Sequence, residues 1–205
     1  NSPTPPGPPG LQMPQKPQPA LLVLLHALGD AQDMPHPLPV HPDAPAWFRR
    51  AFEAPTPAQV GAWSAIAAGE HTLVIAPTGS GKTLAAFFSA LDRLANEATP
   101  DTPHRTRVLY ISPLKALAVD VQRNLRAPLA GLRQESARAG HPEPDIRIGV
   151  RTGDTPPAER RRLVSRPPDI LITTPESLFL MLTSSARESL RSIDAVIIDE
   201  IHAVA

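Results

Sequence analysis

Residues 76–83, reading Ala-Pro-Thr-Gly-Ser-Gly-Lys-Thr, bring together the groups that a polyphosphate needs. Gly79 and Gly81 can take the positive φ angles that turn successive backbone N–H groups toward an anion. Lys82 adds an ammonium for the β- and γ-phosphates of a nucleotide, and Thr83 a hydroxyl for Mg²⁺. A helix that begins here points the positive end of its dipole at the same anion. Thr78, Gly79, Ser80, Gly81, Lys82 and Thr83 are therefore the candidate nucleotide-binding residues. Taken alone, the pattern also fits a glycine turn that happens to carry a lysine.

A phosphate loop needs an acidic element to hold the metal and activate water. Asp199 and Glu200 supply one at the end of the apolar run Ala195–Asp199. Asp199 is the candidate Mg²⁺ holder together with Thr83, and Glu200 the candidate base or water-orienting group. Lys82, Asp199 and Glu200 form the candidate catalytic set. By itself an acidic pair after an apolar strand reads as a solvated strand end, and it gains meaning from the loop upstream.

These residues need a frame that brings them to one edge. Apolar runs at His71–Ala76, Arg107–Ser112, Ile146–Val150, Asp169–Thr173 and Ala195–Asp199 read as strands. Helices are expected between them: Val60–Ala68 before the first, then Lys82–Ala98, Leu114–Ala139 with a break or kink at Pro128, Ala158–Val164 and Glu176–Leu190. Near-continuous apolar strands alternating with helices predict an α/β fold, a parallel sheet covered by helices on both faces. In such sheets ligands collect at the carboxyl ends of the strands. Both candidate nucleotide elements lie there.

Residues 1–45 differ in kind. Of the chain's 27 prolines, 15 fall within the first 57 residues. Residues 1–45 read as a disordered, low-complexity leader with a short helix possible over Ala20–Leu28, and residues 46–205 as the folded domain. The apolar run Leu21–Leu25 is too short to span a bilayer, and no cluster of Lys or Arg precedes it as in a signal peptide. Lys and Arg total 20 and so do Asp and Glu, so any polyanion binding must come from a local basic strip. There is no cysteine, which excludes disulfides, thiol catalysis and cysteine-bound zinc. A soluble, cytoplasmic protein with no membrane contact is expected.

Asp199-Glu200-Ile201-His202 (DEIH) together with the phosphate loop resembles the DExH group of superfamily 2 helicases, over roughly Trp47 to His202. Ser112-Pro113-Leu114-Lys115-Ala116-Leu117 resembles motif Ia, Arg151-Thr152-Gly153-Asp154 the RTGD segment, and Thr173-Thr174-Pro175-Glu176 motif Ib. The wording around them is similar to the bacterial large helicase-related (Lhr-like) proteins. The resemblance implies a RecA-like P-loop domain of an ATP-dependent helicase with ATP and Mg²⁺ as cofactors. It also implies single-stranded DNA or an RNA–DNA hybrid as partner, in DNA repair. Ser112, Pro113, Lys115, Arg151, Thr174, Pro175 and Glu176 are then the candidate nucleic-acid contacts, suited to the backbone rather than to base sequence. His202 resembles a coupling element between the two sites.

Phe52–Gln59 resembles the superfamily's Q motif, in which Gln59 reads the adenine; a helix-capping turn at Thr56-Pro57 accounts for the same residues. Arg160-Arg161-Arg162 fits either a nucleic-acid contact or a solvated helix face. A second RecA-like domain, expected of such a motor, is absent from the sequence, which ends at Ala205. The chain alone is accordingly expected to bind ATP·Mg²⁺, to hydrolyse it feebly and to unwind nothing. The competing readings are a non-catalytic nucleic-acid or partner-binding module, and a P-loop kinase or transporter ATPase, against which the three nucleic-acid-like segments argue.

Overall fold

The computed structural model describes residues 21–27, 43–77 and 79–201. In chain order the elements are β1 (Leu21–Ala27), α1 (Ala44–Ala51), α2 (Pro57–Ala67), β2 (Thr72–Ala76), α3 (Lys82–Asn96), β3 (Val108–Ile111), α4 (Lys115–Ala139), β4 (Ile148–Arg151), α5 (Pro157–Ser165), β5 (Ile170–Thr173), α6 (Pro175–Leu182) and β6 (Ala195–Asp199). Short 3₁₀ turns lie at Thr102–His104 and Ser185–Leu190. The six strands form one sheet in the order β2-β1-β6-β3-β5-β4.

Strands β6, β3, β5 and β4 run parallel, in register Val108 with Ala195 and with Ile170, and Ile148 with Ile170. Alternation along each strand divides the core into two layers. On one face Val108, Tyr110, Ile170, Ile172 and Ile197 meet Phe87 and Leu91 of α3 and Val121, Leu125 and Leu129 of α4. On the other, Leu109 and Leu171 meet Met181 of α6 and Ala186. This is the expected α/β layering, helices on both faces of a largely parallel sheet.

Four expectations are corrected. Leu21–Ala27 is a strand and not a helix, and it lies in the middle of the sheet, antiparallel to β2 and to β6. Seven residues are too few for a 3.6-residue period to declare itself, and sheet neighbours on both sides decide the matter. Of the break or kink expected at Pro128, the break does not occur: α4 runs through it as one helix. The ring forfeits a backbone bond, while Leu125, Leu129 and Leu132 around it are buried and hold the helix to the core. The helix expected over Glu176–Leu190 stops at Leu182, where Ser184 caps a separate 3₁₀ turn by accepting from the Ala186 N–H. Strand β2 is not buried on both faces, since Leu73 and Ile75 are exposed while Val74 is buried.

Helix α1 anchors the N-terminal side of the domain. Trp47 lies over Gly131 of α4, so close that a Cβ there would collide with the indole. Trp47, Phe48, Phe52, Trp63 and Phe88 form an aromatic cluster joining α1, α2 and α3. Through it the helix that carries Gln59 is packed onto the helix that carries Lys82.

Candidate nucleotide and nucleic-acid site

The loop between β2 and α3 has the backbone its glycines predict: Gly79 has φ 81° and Gly81 φ 79°. At Gly81 a side chain is excluded twice, by φ and by the Gln59 amide, which sits where a Cβ would go. The N-terminus of α2 clamps the loop. Thr56 Oγ1 donates to Ser80 O at 2.8 Å, and Gln59 Nε2 donates to Gly81 O at 3.3 Å. Thr56 and Gln59 also form a reciprocal capping box, with Thr56 N–H donating to Gln59 Oε1 at 2.9 Å. The capping reading of this segment is therefore realised. It leaves one amide hydrogen and one lone pair of Gln59 uncommitted. The clamp on the loop was not foreseen, although the Thr-x-x-Gln spacing signals the capping box that builds it.

Lys82 is buried, and its ammonium donates to Ala76 O, to Pro77 O at 2.7 Å and to Ser80 Oγ at 3.4 Å. Burial pushes its pKa below the usual lysine value, while the nearby Glu200 and Asp199 carboxylates pull it up. The lysine and the acids lie at strand ends two places apart in the sheet.

Asp199 is buried at the end of β6. Its Oδ1 accepts the Glu200 N–H at 3.0 Å, and its Oδ2 accepts the phenol O–H of Tyr110. Burial, with the two carboxylates behind it, pushes the Tyr110 phenol far above its usual value, so the ring is a proton donor at any working pH. Glu200 has φ 50°, the one positive φ at a non-glycine residue among the described residues, a costly backbone of the kind that persists where a site over-determines it. Sequence reasoning did not find Tyr110; it lies 89 residues from Asp199, and no local signal connects them.

The described residues contain no group of three or more His, Cys, Asp or Glu able to hold a metal by themselves. Asp199 and the Thr83 hydroxyl are hard oxygen donors at the loop, the sparse protein set that suits Mg²⁺ shared with phosphates. The donor chemistry fits.

The helicase-like segments meet at the carboxyl ends of β3, β5 and β4. Ser112 N–H donates to Thr173 O at 2.9 Å, and Thr173 Oγ1 to Arg151 O at 2.7 Å, which ties the three strand ends together. Lys115, at the start of α4, pairs with Asp154 across 2.7 Å, both side chains exposed. Glu176, in the first turn of α6, is held below the usual carboxylate range by its own backbone N–H, the Thr174 hydroxyl and Lys115. Burial and then Arg160 depress the Arg151 guanidinium. Ser112 and Thr174 are buried, and Thr174 caps α6 by accepting from the Ser177 N–H. Pro113, Lys115, Arg151, Pro175 and Glu176 retain exposure. Of the arginine run, Arg160 folds back onto Thr155 O at 2.8 Å and Gly153 O at 2.7 Å, while Arg161 and Arg162 are exposed. Thr78 and His202 lie outside the described residues.

A phosphate loop between strand and helix, with an acidic pair at a strand end two places away in the same sheet, defines a P-loop nucleotide-binding domain. A family profile described as DEAD/DEAH box helicase matches residues 56–205, and the chain belongs to that family. Within it the likeness is to the Lhr proteins. The chain is 65% identical over 159 residues to the "Lhr helicase/ probable uracil glycosylase" of Mycolicibacterium smegmatis, covering 78% of this chain and 10% of that protein. Against the "Lhr helicase/uracil glycosylase" of Escherichia coli the identity is 58% over 183 residues, covering 84% and 12%. Among solved structures, Mycobacterium smegmatis helicase Lhr bound to ssDNA and AMP-PNP matches with a TM-score of 0.77 at 62% identity, over 83% of this chain and 22% of that one. The chain thus spans about a tenth of the length of these curated relatives. No described helix is long and apolar enough to cross a membrane.

Proposed function

We propose that this chain carries the ATP-binding RecA-like domain of an Lhr-type, ATP-driven DNA helicase, from α1 onward and with β1 as a strand of its sheet. The β2–α3 loop takes the phosphates of ATP; Thr83 and Asp199 hold Mg²⁺, whose chemistry is to neutralise the phosphate charge; and Glu200 orients the attacking water. Phosphate oxygens take over the Lys82 ammonium from Ala76 O, Pro77 O and Ser80 Oγ. Gln59 contributes by clamping the loop, and its remaining hydrogen and lone pair suit an adenine edge. The observation that carries this reading is the β2–α3 loop itself, with Gly79 and Gly81 at positive φ and the buried Lys82 ammonium held against its backbone.

The strand ends of β3, β5 and β4 take the backbone of single-stranded DNA. Lys115, Arg151 and the turns at Pro113 and Pro175 face it, and the ssDNA bound in the solved relative supports a single strand as the ligand. Ser112 and Thr174 serve by shaping those turns. His202 couples the two ligands, the second RecA-like domain completes the motor, and the cytoplasm, where ATP and DNA meet, is its compartment.

Titration of a fluorescent ATP analogue in Mg²⁺ buffer tests the nucleotide half. Lys82→Ala should weaken binding at least tenfold, about 1.4 kcal/mol. Equal binding by both proteins would refute it.

A further inference from the structure

Tyr110 is fully buried, and it brings the one hydroxyl into a cluster otherwise made of aliphatic side chains and Phe87. It stands on β3, and its register partner on β6 is Ile197, two residues before Asp199. Period-two alternation therefore puts Ile197 and Asp199 on the face that Tyr110 occupies. The phenol O–H reaches Asp199 Oδ2, while the Glu200 N–H holds Oδ1. Each oxygen of the carboxylate thus accepts a hydrogen bond, and the two together constrain its plane. The Tyr110 ring is in turn stacked on Phe87, with centroids 4.8 Å apart and planes 28° from parallel. Phe87 lies on α3, five residues beyond Lys82. A continuous packed path thus runs from the phosphate-loop helix through two rings to the acidic strand end.

We infer that Tyr110 is a positioning residue for the metal-holding carboxylate, with Phe87 setting the ring that sets Asp199. This deepens the nucleotide reading above and rests on it. Tyr110 touches neither nucleotide nor metal; it acts by holding Asp199 in the orientation that a hydrated Mg²⁺ needs. Groups of this kind, hydrogen-bonded behind a ligating carboxylate, shift metal affinity when removed, because the ligand then has to be ordered by the metal itself.

Tyr110→Phe removes the donor and keeps the ring, its burial and the stack on Phe87. The test is the binding of a fluorescent ATP analogue to the whole 205-residue chain, parent and variant, in EDTA and across a Mg²⁺ titration. The expected result is unchanged nucleotide affinity in EDTA and a Mg²⁺ half-saturation point raised about tenfold. An unchanged Mg²⁺ midpoint overturns the assignment. So does loss of binding in EDTA as well, because that outcome makes Tyr110 a part of the fold alone. Failure of the parent to bind the analogue in either buffer overturns the nucleotide reading itself, which distinguishes the two failures.

Discussion

At Gly81 two constraints coincide: the backbone sits at φ 79°, and the Gln59 amide occupies the space a Cβ would need. A non-glycine residue there costs about 1–2 kcal/mol from its backbone alone, and it also displaces the α2 clamp. Gly81→Ala should therefore lose nucleotide binding at least as fully as Lys82→Ala, measurable with the same fluorescent analogue; unimpaired binding would show that the clamp is dispensable. Lys115 makes a second residue-scale case. Its partner Asp154 is exposed, and an exposed ion pair contributes little to stability. Lys115→Ala should leave the melting temperature nearly unchanged while lowering the salt slope of single-strand binding by about 0.7. An unchanged slope would remove Lys115 from the nucleic-acid surface. The loop glycines, Lys82 and the Asp199-Glu200 pair were legible in the sequence because their chemistry is local and their spacing narrow. The Tyr110–Asp199 bond was not, since it depends on which strands become neighbours, and nothing within a window of ten residues encodes that.

Among the elements, strands that are buried on both faces gave themselves away as unbroken apolar runs, and β3, β5 and β6 fall within a residue or so of their expected bounds. Helix ends were harder. Helix α6 stops at Leu182 because Ser184 offers the chain a local alternative bond, a competition that apolar periodicity does not register. Pro128 misled in the opposite sense: the rule against proline in helices is real, but buried leucines on either side outweigh one missing bond. The contact between α1 and α4 shows how tertiary packing fixes a residue that no motif marks. Trp47 leaves no room for a Cβ at Gly131. Gly131→Ala should destabilise the domain by about 1–3 kcal/mol through overpacking, and each kcal/mol should lower the melting temperature by about 2–4 °C. Thermal denaturation followed by circular dichroism checks this, and a gain in stability, as expected from helix propensity alone, would contradict it.

For the whole molecule, the arrangement to explain is β1, antiparallel between the strand that leads to the phosphate loop and the strand that ends in Asp199. Val23 lies in register with Val74 on one side and with Asp199 on the other. Val23→Pro takes an N–H out of this ladder and sets a ring inside a strand paired on both sides, so the domain should lose about 3 kcal/mol or more, with the melting temperature falling by about 2–4 °C for each kcal/mol. No change would mean that β1 does not bridge the two strands. Leu73 and Ile75 on β2 and Phe179, Leu180 and Leu182 on α6 are among the exposed apolar residues and lie outside the buried clusters.

The central claim is that nucleotide and single-strand sites on this one sheet edge work together. The most direct measurement is fluorescence anisotropy of a labelled single-stranded DNA oligonucleotide, with and without a non-hydrolysable ATP analogue and Mg²⁺, for the parent and for Lys82→Ala. The analogue should shift the parent's affinity at least fivefold, about 1 kcal/mol of coupling, and leave that of the variant unshifted. Affinity indifferent to the analogue in the parent, or shifted equally in both proteins, would contradict it.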